Sequence, residues 1–228
     1  MEEHKILTGM LLVALVVSVV GTVITVDRLG SVGGVGITGA AGGTGDLNIT
    51  QDITITLPDS AIDFGNGKVD PTASFALADS APGVSTVSGT WENISDNITV
   101  RNDGNTGINL TVSSNRKAGN DTTLSFICQG ETDGECANDV TFSGLDSAVS
   151  FAYGIVNNEA NSCGNDLQSV YNTIASNGVN YNVCGCLKSG NVEDEVALYL
   201  EVGIPDDAQG QKSATLTFTS SVAGDGGC

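Results

Sequence analysis

Histidine is almost missing from this chain, and basic residues are few. The 228 residues include one histidine, His4, and eight Lys or Arg against 27 Asp or Glu, for a net charge of −19. Beyond residue 28, a Ser-His-Asp device, a Cys-His device and the H-E-x-x-H zinc motif are all excluded, because each needs a histidine there. The chain also lacks a GxxxxGK[ST] loop and a strand-linked GxGxxG. These absences predict a protein that is not an enzyme.

The shortage of positive charge limits the partners. The chain after Arg28 holds 24 acidic and six basic residues. Phosphate groups would be repelled, so no nucleic-acid partner is expected, and the same charge disfavours docking on an anionic membrane surface. High acidity favours solubility, with cation binding as the alternative. The turns Asn102–Asn105 and Thr132–Glu135 offer oxygen ligands for Ca²⁺, but ordinary turn chemistry explains them without an ion, so no cofactor is predicted.

One apolar segment stands at the N-terminus. Leu7–Val26 contains twenty uncharged residues, which as a helix would span about 30 Å, the thickness of a bilayer core. Its length favours an uncleaved transmembrane signal anchor over residues 1–28; a cleaved signal peptide, with a weak site at Ser18–Gly21, is the alternative. A Gly-rich linker is predicted over residues 29–47, and an extracellular domain over residues 48–228.

An alternation with a period of two dominates the rest of the chain. Ile98 and Val100 precede a polar glycine turn, and Ile108, Leu110 and Val112 follow it, which predicts a β-hairpin. Further predicted strands contain Ile49–Leu57, Leu124–Cys128, Val140–Phe142, Val149–Ile155, Val196–Val202 and Leu216–Phe218. One weak helix is predicted at Asp166–Ala175. The pattern predicts an all-β fold, an antiparallel β-sandwich.

Two stretches carry a family resemblance. The sequence ITVRNDGNTGINLTV, Ile98–Val112, resembles the central hairpin of immunoglobulin-like surface modules of the CARDB and NEW3 kind. The stretch Leu200–Thr219 resembles the final strand pair of those modules. With its single N-terminal anchor, the chain is similar to small envelope proteins of archaea. The resemblance implies an Ig-like β-sandwich used for adhesion, spacing or assembly, and no catalytic residues. The stretch 157–190 does not fit the module and is predicted to be an insertion.

Six cysteines follow the apolar segment, at Cys128, Cys136, Cys163, Cys184, Cys186 and Cys228. An even number beyond an export signal predicts disulfides. We expect a local Cys128–Cys136 bridge, a bridge from Cys163 to Cys184 or Cys186, and a bridge from the remaining cysteine to Cys228. The alternatives are a metal site, a redox pair at Cys184–Cys186, and a cross-link from Cys228 to a neighbouring molecule.

The chain also has two polar features on which modification or chemistry would depend. Five N-x-[ST] sequons begin at Asn48, Asn93, Asn97, Asn109 and Asn120, and they predict N-glycosylation. The densest acidic run is Glu193, Asp194 and Glu195. A pair of carboxylates is what a glycosidase needs, but a charge run before a strand is usually solvated, and that is the expectation here.

These features together predict a non-enzymatic structural protein of the cell surface. It would sit in the cell membrane by a single pass, with its C-terminal domain outside, as an envelope-layer (S-layer) subunit or a cell-adhesion module. Expected partners are further copies, neighbouring surface proteins and glycans. The alternative is a filament subunit, either pilin-like or completed by a donor strand from residues 35–55.

Overall fold

Nine strands form the framework of the part of the chain that the structure, a computed structural model, describes. The described residues are 50–92, 94–130, 136, 148–164, 167–168, 170–190, 192–224 and 228. Within them the strands are β1 (Ile55–Asp59), β2 (Phe75–Asp79), β3 (Ile98–Asn102), β4 (Ile108–Ser114), β5 (Phe151–Asn157), β6 (Asn172–Thr173), β7 (Tyr181–Leu187), β8 (Glu195–Pro205) and β9 (Leu216–Val222). The predicted all-β class is confirmed for this part of the chain.

The strands form two antiparallel sheets. The larger sheet has the order β1-β3-β8-β5-β6, and β2 pairs with the far end of β8. Strand β8 is eleven residues long, so β3 binds its first half and β2 its second half along one edge. The smaller sheet has the order β7-β4-β9.

The core lies between the two sheets. Alternate residues of β8 and β5 face inward from the larger sheet, and alternate residues of β4 face inward from the smaller one; all are buried, and they include Leu198, Ile155, Leu110 and Val112. Tyr153 crosses this core from β5, and its Oη donates to the carbonyl of Asn182 on β7 at 2.8 Å. Burial raises the pKa of the Tyr153 hydroxyl to about 12. This partly buried hydrogen bond joins the two sheets.

The predicted hairpin at residues 98–112 is wrong, although both of its strands exist. Strand β3 belongs to the larger sheet and β4 to the smaller one. The buried Asn102 fixes the crossing, because its Nδ2 donates to the carbonyls of Thr106, Leu187 and Lys188 at 2.9–3.1 Å. The turn therefore carries the chain from one sheet to the other. The strands of the resembling C-terminal stretch, β8 and β9, are likewise divided between the sheets.

Residues 124–128, predicted as a strand, form turns instead. The Asp121 carboxylate accepts from the backbone N–H groups of Thr123 and Leu124 at 2.9 and 3.2 Å, which bends the chain before it can extend. The apolar residues of this stretch still reach the core. Phe126 stacks on Phe151 with the ring centroids 4.7 Å apart.

Three further differences concern elements of low sequence signal. The predicted helix at residues 166–175 is wrong, since Asn172–Thr173 pairs with β5 as a short strand. The stretch 157–190 is more than an insertion, because it contributes β7 to the smaller sheet. Strand β2, Phe75–Asp79, was not predicted; its alternate Ala76 and Ala78 give a weak pattern, yet both are fully buried beside β8.

The N-terminal predictions lie outside the described residues. These predictions are the apolar segment Leu7–Val26 and the Gly-rich linker. The predicted strand at Val140–Phe142 also lies outside the described residues. In the part that the structure does describe, there is no helix long and apolar enough to cross a membrane. The described strands all belong to one compact unit, Ile49–Cys228.

Candidate functional site

Three disulfides join all six cysteines within the chain. The pairs are Cys128–Cys136, Cys163–Cys184 and Cys186–Cys228, with Cα–Cα distances of 5.3, 5.8 and 5.4 Å. The structure thus selects Cys184 as the partner of Cys163, an assignment that the sequence left open. Cys184 and Cys186 both lie on β7, so two bridges leave one strand of the smaller sheet. One reaches the preceding loop and the other the C-terminus, which leaves no thiol for a metal or a redox pair.

Gly107 makes room for the C-terminal bridge. A Cβ atom added at this position would overlap the Cys228 Sγ and would lie 3.4 Å from the Cys186 Sγ. The backbone before β4 therefore passes directly beneath the disulfide. Gly107 also contacts the chain just after β9, where the N–H of Ala223 donates to the Gly107 carbonyl at 3.0 Å. The C-terminus is held at the start of β4 by both contacts.

The expectation that the acidic run at the start of β8 is solvated is wrong for two of its three residues, while the Glu193 side chain is 44% exposed. Asp194 and Glu195 are only 7% and 9% exposed. Glu195 Oε1 accepts from Arg101 Nε at 2.6 Å, and its Oε2 accepts from Asn158 Nδ2 at 2.9 Å. Glu193 instead pairs with Lys188 at 2.9 Å. Glu193 and Glu195 are thus held by different partners.

Asp194 faces a second carboxylate. Its backbone N–H donates to Glu159 Oε2 at 2.9 Å, and the two carboxyl groups interact. Burial raises the pKa of Asp194, and the hydrogen bond and negative charge of Glu159 raise it further, while Arg101 opposes the rise. The Asp194 carboxyl therefore keeps its proton to a higher pH than a free aspartic acid does.

A second group of polar side chains lies on the outer face of the larger sheet. Asp79 on β2 stands directly opposite Glu201 on β8, and both are buried. Tyr171 Oη donates to Asp79 Oδ1 at 2.6 Å, and its ring covers Gly154, where an added Cβ would lie 3.2 Å from the ring. Burial raises the pKa of the Tyr171 hydroxyl, and the bond to Asp79 adds to the rise. The phenol therefore remains a hydrogen-bond donor at physiological pH.

The sequence did not reveal this group. Its pairing depends on β2, whose pattern is weak, and on Tyr171, which falls in the stretch predicted as a helix. The alternation of β8 does place Glu201 on the outward face, but nothing in the sequence places Asp79 beside it. The group holds two carboxylates, and among the described residues no three or more His, Cys, Asp or Glu side chains are arranged to hold a metal ion.

The oxygens of the Asn102–Asn105 turn are used within the protein. Asn102 Oδ1 accepts from the N–H of Gly104 at 3.0 Å, and Asp103 Oδ2 accepts from Thr56 Oγ1 at 2.6 Å. Asn105 Oδ1 accepts from the N–H of Asp52 at 2.8 Å. The Asn102–Gly104 bond is local turn chemistry, whereas the bonds to Thr56 and Asp52 hold the start of the described chain against the turn. The other acidic turn, Thr132–Glu135, lies outside the described residues.

Three of the five sequons fall in the described part of the chain. Asn97 precedes β3, and its Oδ1 accepts from the sequon threonine, Thr99, at 2.8 Å. Asn109 lies on the central strand of the smaller sheet, where its Oδ1 is buried. Asn120 lies in the loop between β4 and β5, the kind of position that tolerates a glycan. Asn48 and Asn93 are outside the described residues.

Comparisons with known proteins found no match to any family model, any curated protein or any solved structure.

Proposed function

We propose that this chain is a non-enzymatic structural protein of the cell surface, displayed on an N-terminal membrane anchor. The observation that carries the proposal is the set of three disulfides, which uses every cysteine. Disulfides of this kind persist in oxidising compartments such as the cell exterior. The uncharged segment Leu7–Val26 supplies a reason for the domain to stay at the membrane.

The proposed architecture is an Ig-like sandwich of the CARDB and NEW3 kind. Two antiparallel sheets packed face to face are compatible with it. Passage of the chain between sheets, at Asn102 and again between β8 and β9, is also common in Greek-key sandwiches. The proposal for this finer class rests on the resemblance of two sequence stretches.

The state of the buried acidic groups supports a structural role. Glu195 is held by Arg101 and Asn158, and Asp79 is held by Tyr171. Carboxylates that are hydrogen-bonded to neighbouring side chains hold the strands that carry them in place, which suits a structural role. The partners we propose are further copies of the chain, neighbouring surface proteins and glycans, and the net charge of −19 argues against nucleic acid.

A filament subunit is the second candidate. The observation that favours it is the outer edge of β9, with which no strand of the described residues pairs and which is suited to accept one. A donor strand from residues 35–55 of another copy would complete the smaller sheet in this version of the proposal.

Labelling of intact cells tests the proposed location. A short epitope inserted after Gly83, in the exposed loop between β2 and β3, should bind antibody without permeabilisation. The matched control places the same epitope before Lys5, where it should bind only after permeabilisation. Equal labelling of both epitopes, or labelling of neither on intact cells, would contradict the proposal.

A further inference from the structure

The sheet edges of this protein differ in how they are protected. Strand β1 carries Pro58 and Asp59 and has an irregular register with β3. Strand β6 has only two residues. Strand β7 has an irregular register with β4, and its outer side is bridged at Leu187 by Cys163. Proline, charge, brevity and bulges are the devices by which proteins prevent edge-to-edge pairing.

Strand β9 has none of these devices. Its sequence LTFTSSV lacks proline and charge, and its seven residues pair with β4 one to one without a bulge. No described residue pairs with the backbone of its outer edge. Within the described part of the chain, the strand is therefore a regular and open template for another strand.

The inward face of β9 is incompletely covered. Val112 and Ile108 on β4 are buried, but their direct partners on β9, Phe218 and Val222, are half-buried and 42% exposed. Leu216 on the same face is also half-buried. Among the described residues, one hydrogen bond joins a β9 side chain to a residue outside the smaller sheet: Ser220 Oγ donates to the carbonyl of Ile53 at 3.1 Å. An added strand with apolar residues at alternate positions would cover this face.

The distribution of charge indicates which strand is added to β9. The chain carries −19, so two copies repel each other over most of their surfaces. Strands β4, β7 and β9 contain no charged residue, whereas β1, β2, β3 and β8 of the larger sheet all do. The smaller sheet is thus a face on which two copies meet without opposing like charges.

We propose that two copies of this chain pair through β9, antiparallel and edge to edge. The alternation of β9 makes it self-complementary, because pairing around a twofold axis places Leu216 and Phe218 of both copies on one face and the threonines on the other. The two three-stranded sheets become one of six strands. The inference deepens the proposed function by naming the partner, and it rests on that function for its setting at the cell surface.

Photocrosslinking of the full chain in detergent tests the pairing. Thr219→p-benzoylphenylalanine places the probe on an exposed position of β9, and Thr72→p-benzoylphenylalanine, in an exposed loop near the larger sheet, is the matched control. We expect a cross-linked dimer only for the β9 probe, with the linked peptide mapped by mass spectrometry to residues 213–224 of the second copy. Linkage to residues 1–54 of another copy, linkage to any other segment outside residues 213–224, or no linkage would each overturn the proposal.

A charge variant supplies the second readout. Thr219→Lys lowers the net negative charge, so general electrostatics would strengthen association, but the two lysines of a β9 pair lie near each other and repel. We expect the dimer dissociation constant to rise by about two- to fivefold. Thr72→Lys adds the same charge away from the edge and should not weaken the dimer, and equal effects of both variants would overturn the pairing. Since these assays use purified protein, their failure is distinct from failure of the surface labelling.

Discussion

Removal of the Cys186–Cys228 disulfide should cost more stability than removal of either other bridge. The bridge closes the longest stretch of chain, 42 residues in sequence separation against 21 and 8 for the other two. Loop-closure entropy in the unfolded chain then gives about 4 kcal/mol for this bridge, about 3.4 for Cys163–Cys184 and about 2.6 for Cys128–Cys136. For a domain of this size, a loss of about 4 kcal/mol lowers the Tm by about 8–16 °C.

The assay compares three variants in which one pair at a time is changed to alanine. Five of the six cysteines are buried and Cys228 is exposed, so the cavity cost is smallest for the Cys186–Cys228 variant, and a larger loss in that variant reports on loop length. Urea unfolding of the full chain in mild detergent gives the free energies, and thiol titration checks that the remaining bridges are intact. The reasoning is refuted if the Cys128–Cys136 variant loses as much stability as the Cys186–Cys228 variant.

Three further predictions concern single side chains. Gly107→Ala should prevent formation of the C-terminal disulfide because a Cβ there overlaps the Cys228 sulfur, so mass spectrometry should find two alkylated cysteines; Gly224→Ala, with open space around it, should leave all six paired. Asp194→Asn should flatten the pH dependence of stability. Because the pKa of Asp194 is raised in the folded state, its contribution to the free energy of unfolding is present below the unfolded-state pKa and is lost as the pH rises through the folded-state pKa. Urea unfolding midpoints measured between these two pKa values should therefore fall with rising pH in the wild type and not in the variant. Asn102→Ala removes the donors to three carbonyls and should cost about 3 kcal/mol in urea unfolding, whereas the exposed Asn105→Ala should cost about 1 kcal/mol or less; equal losses would contradict the role assigned to the sheet crossing.

Periodicity was enough to predict β5 and β8, but it missed β7 (Tyr181–Leu187), which lies in the stretch predicted to be an insertion. Val196–Val202 and Phe151–Ile155 alternate strictly because one face of each meets the core, and the structure places both in the centre of the larger sheet. Which strands pair is a different matter. A polar glycine turn suits a hairpin and a crossing between sheets equally well, and the choice depends on contacts of Asn102 with carbonyls more than 80 residues away.

The polar groups show the same limit. The prediction of disulfides rested on an even count of cysteines after an export signal, and the structure contains three of them. The burial of Asp194 could not be predicted from the run of three acids. The neighbouring Glu195 is bound by Arg101 and Asn158, and both are distant in sequence. The Asp79–Tyr171 bond joins residues 92 positions apart, and no spacing rule brings them together.

Electron cryotomography of the native cell envelope tests the central claim most directly. With the epitope after Gly83 labelled by gold, the account predicts a periodic layer or fibre that carries the label, in which neighbouring copies repeat at a fixed distance. Label scattered singly over the membrane, with no repeating density beneath it, would contradict a role in assembly.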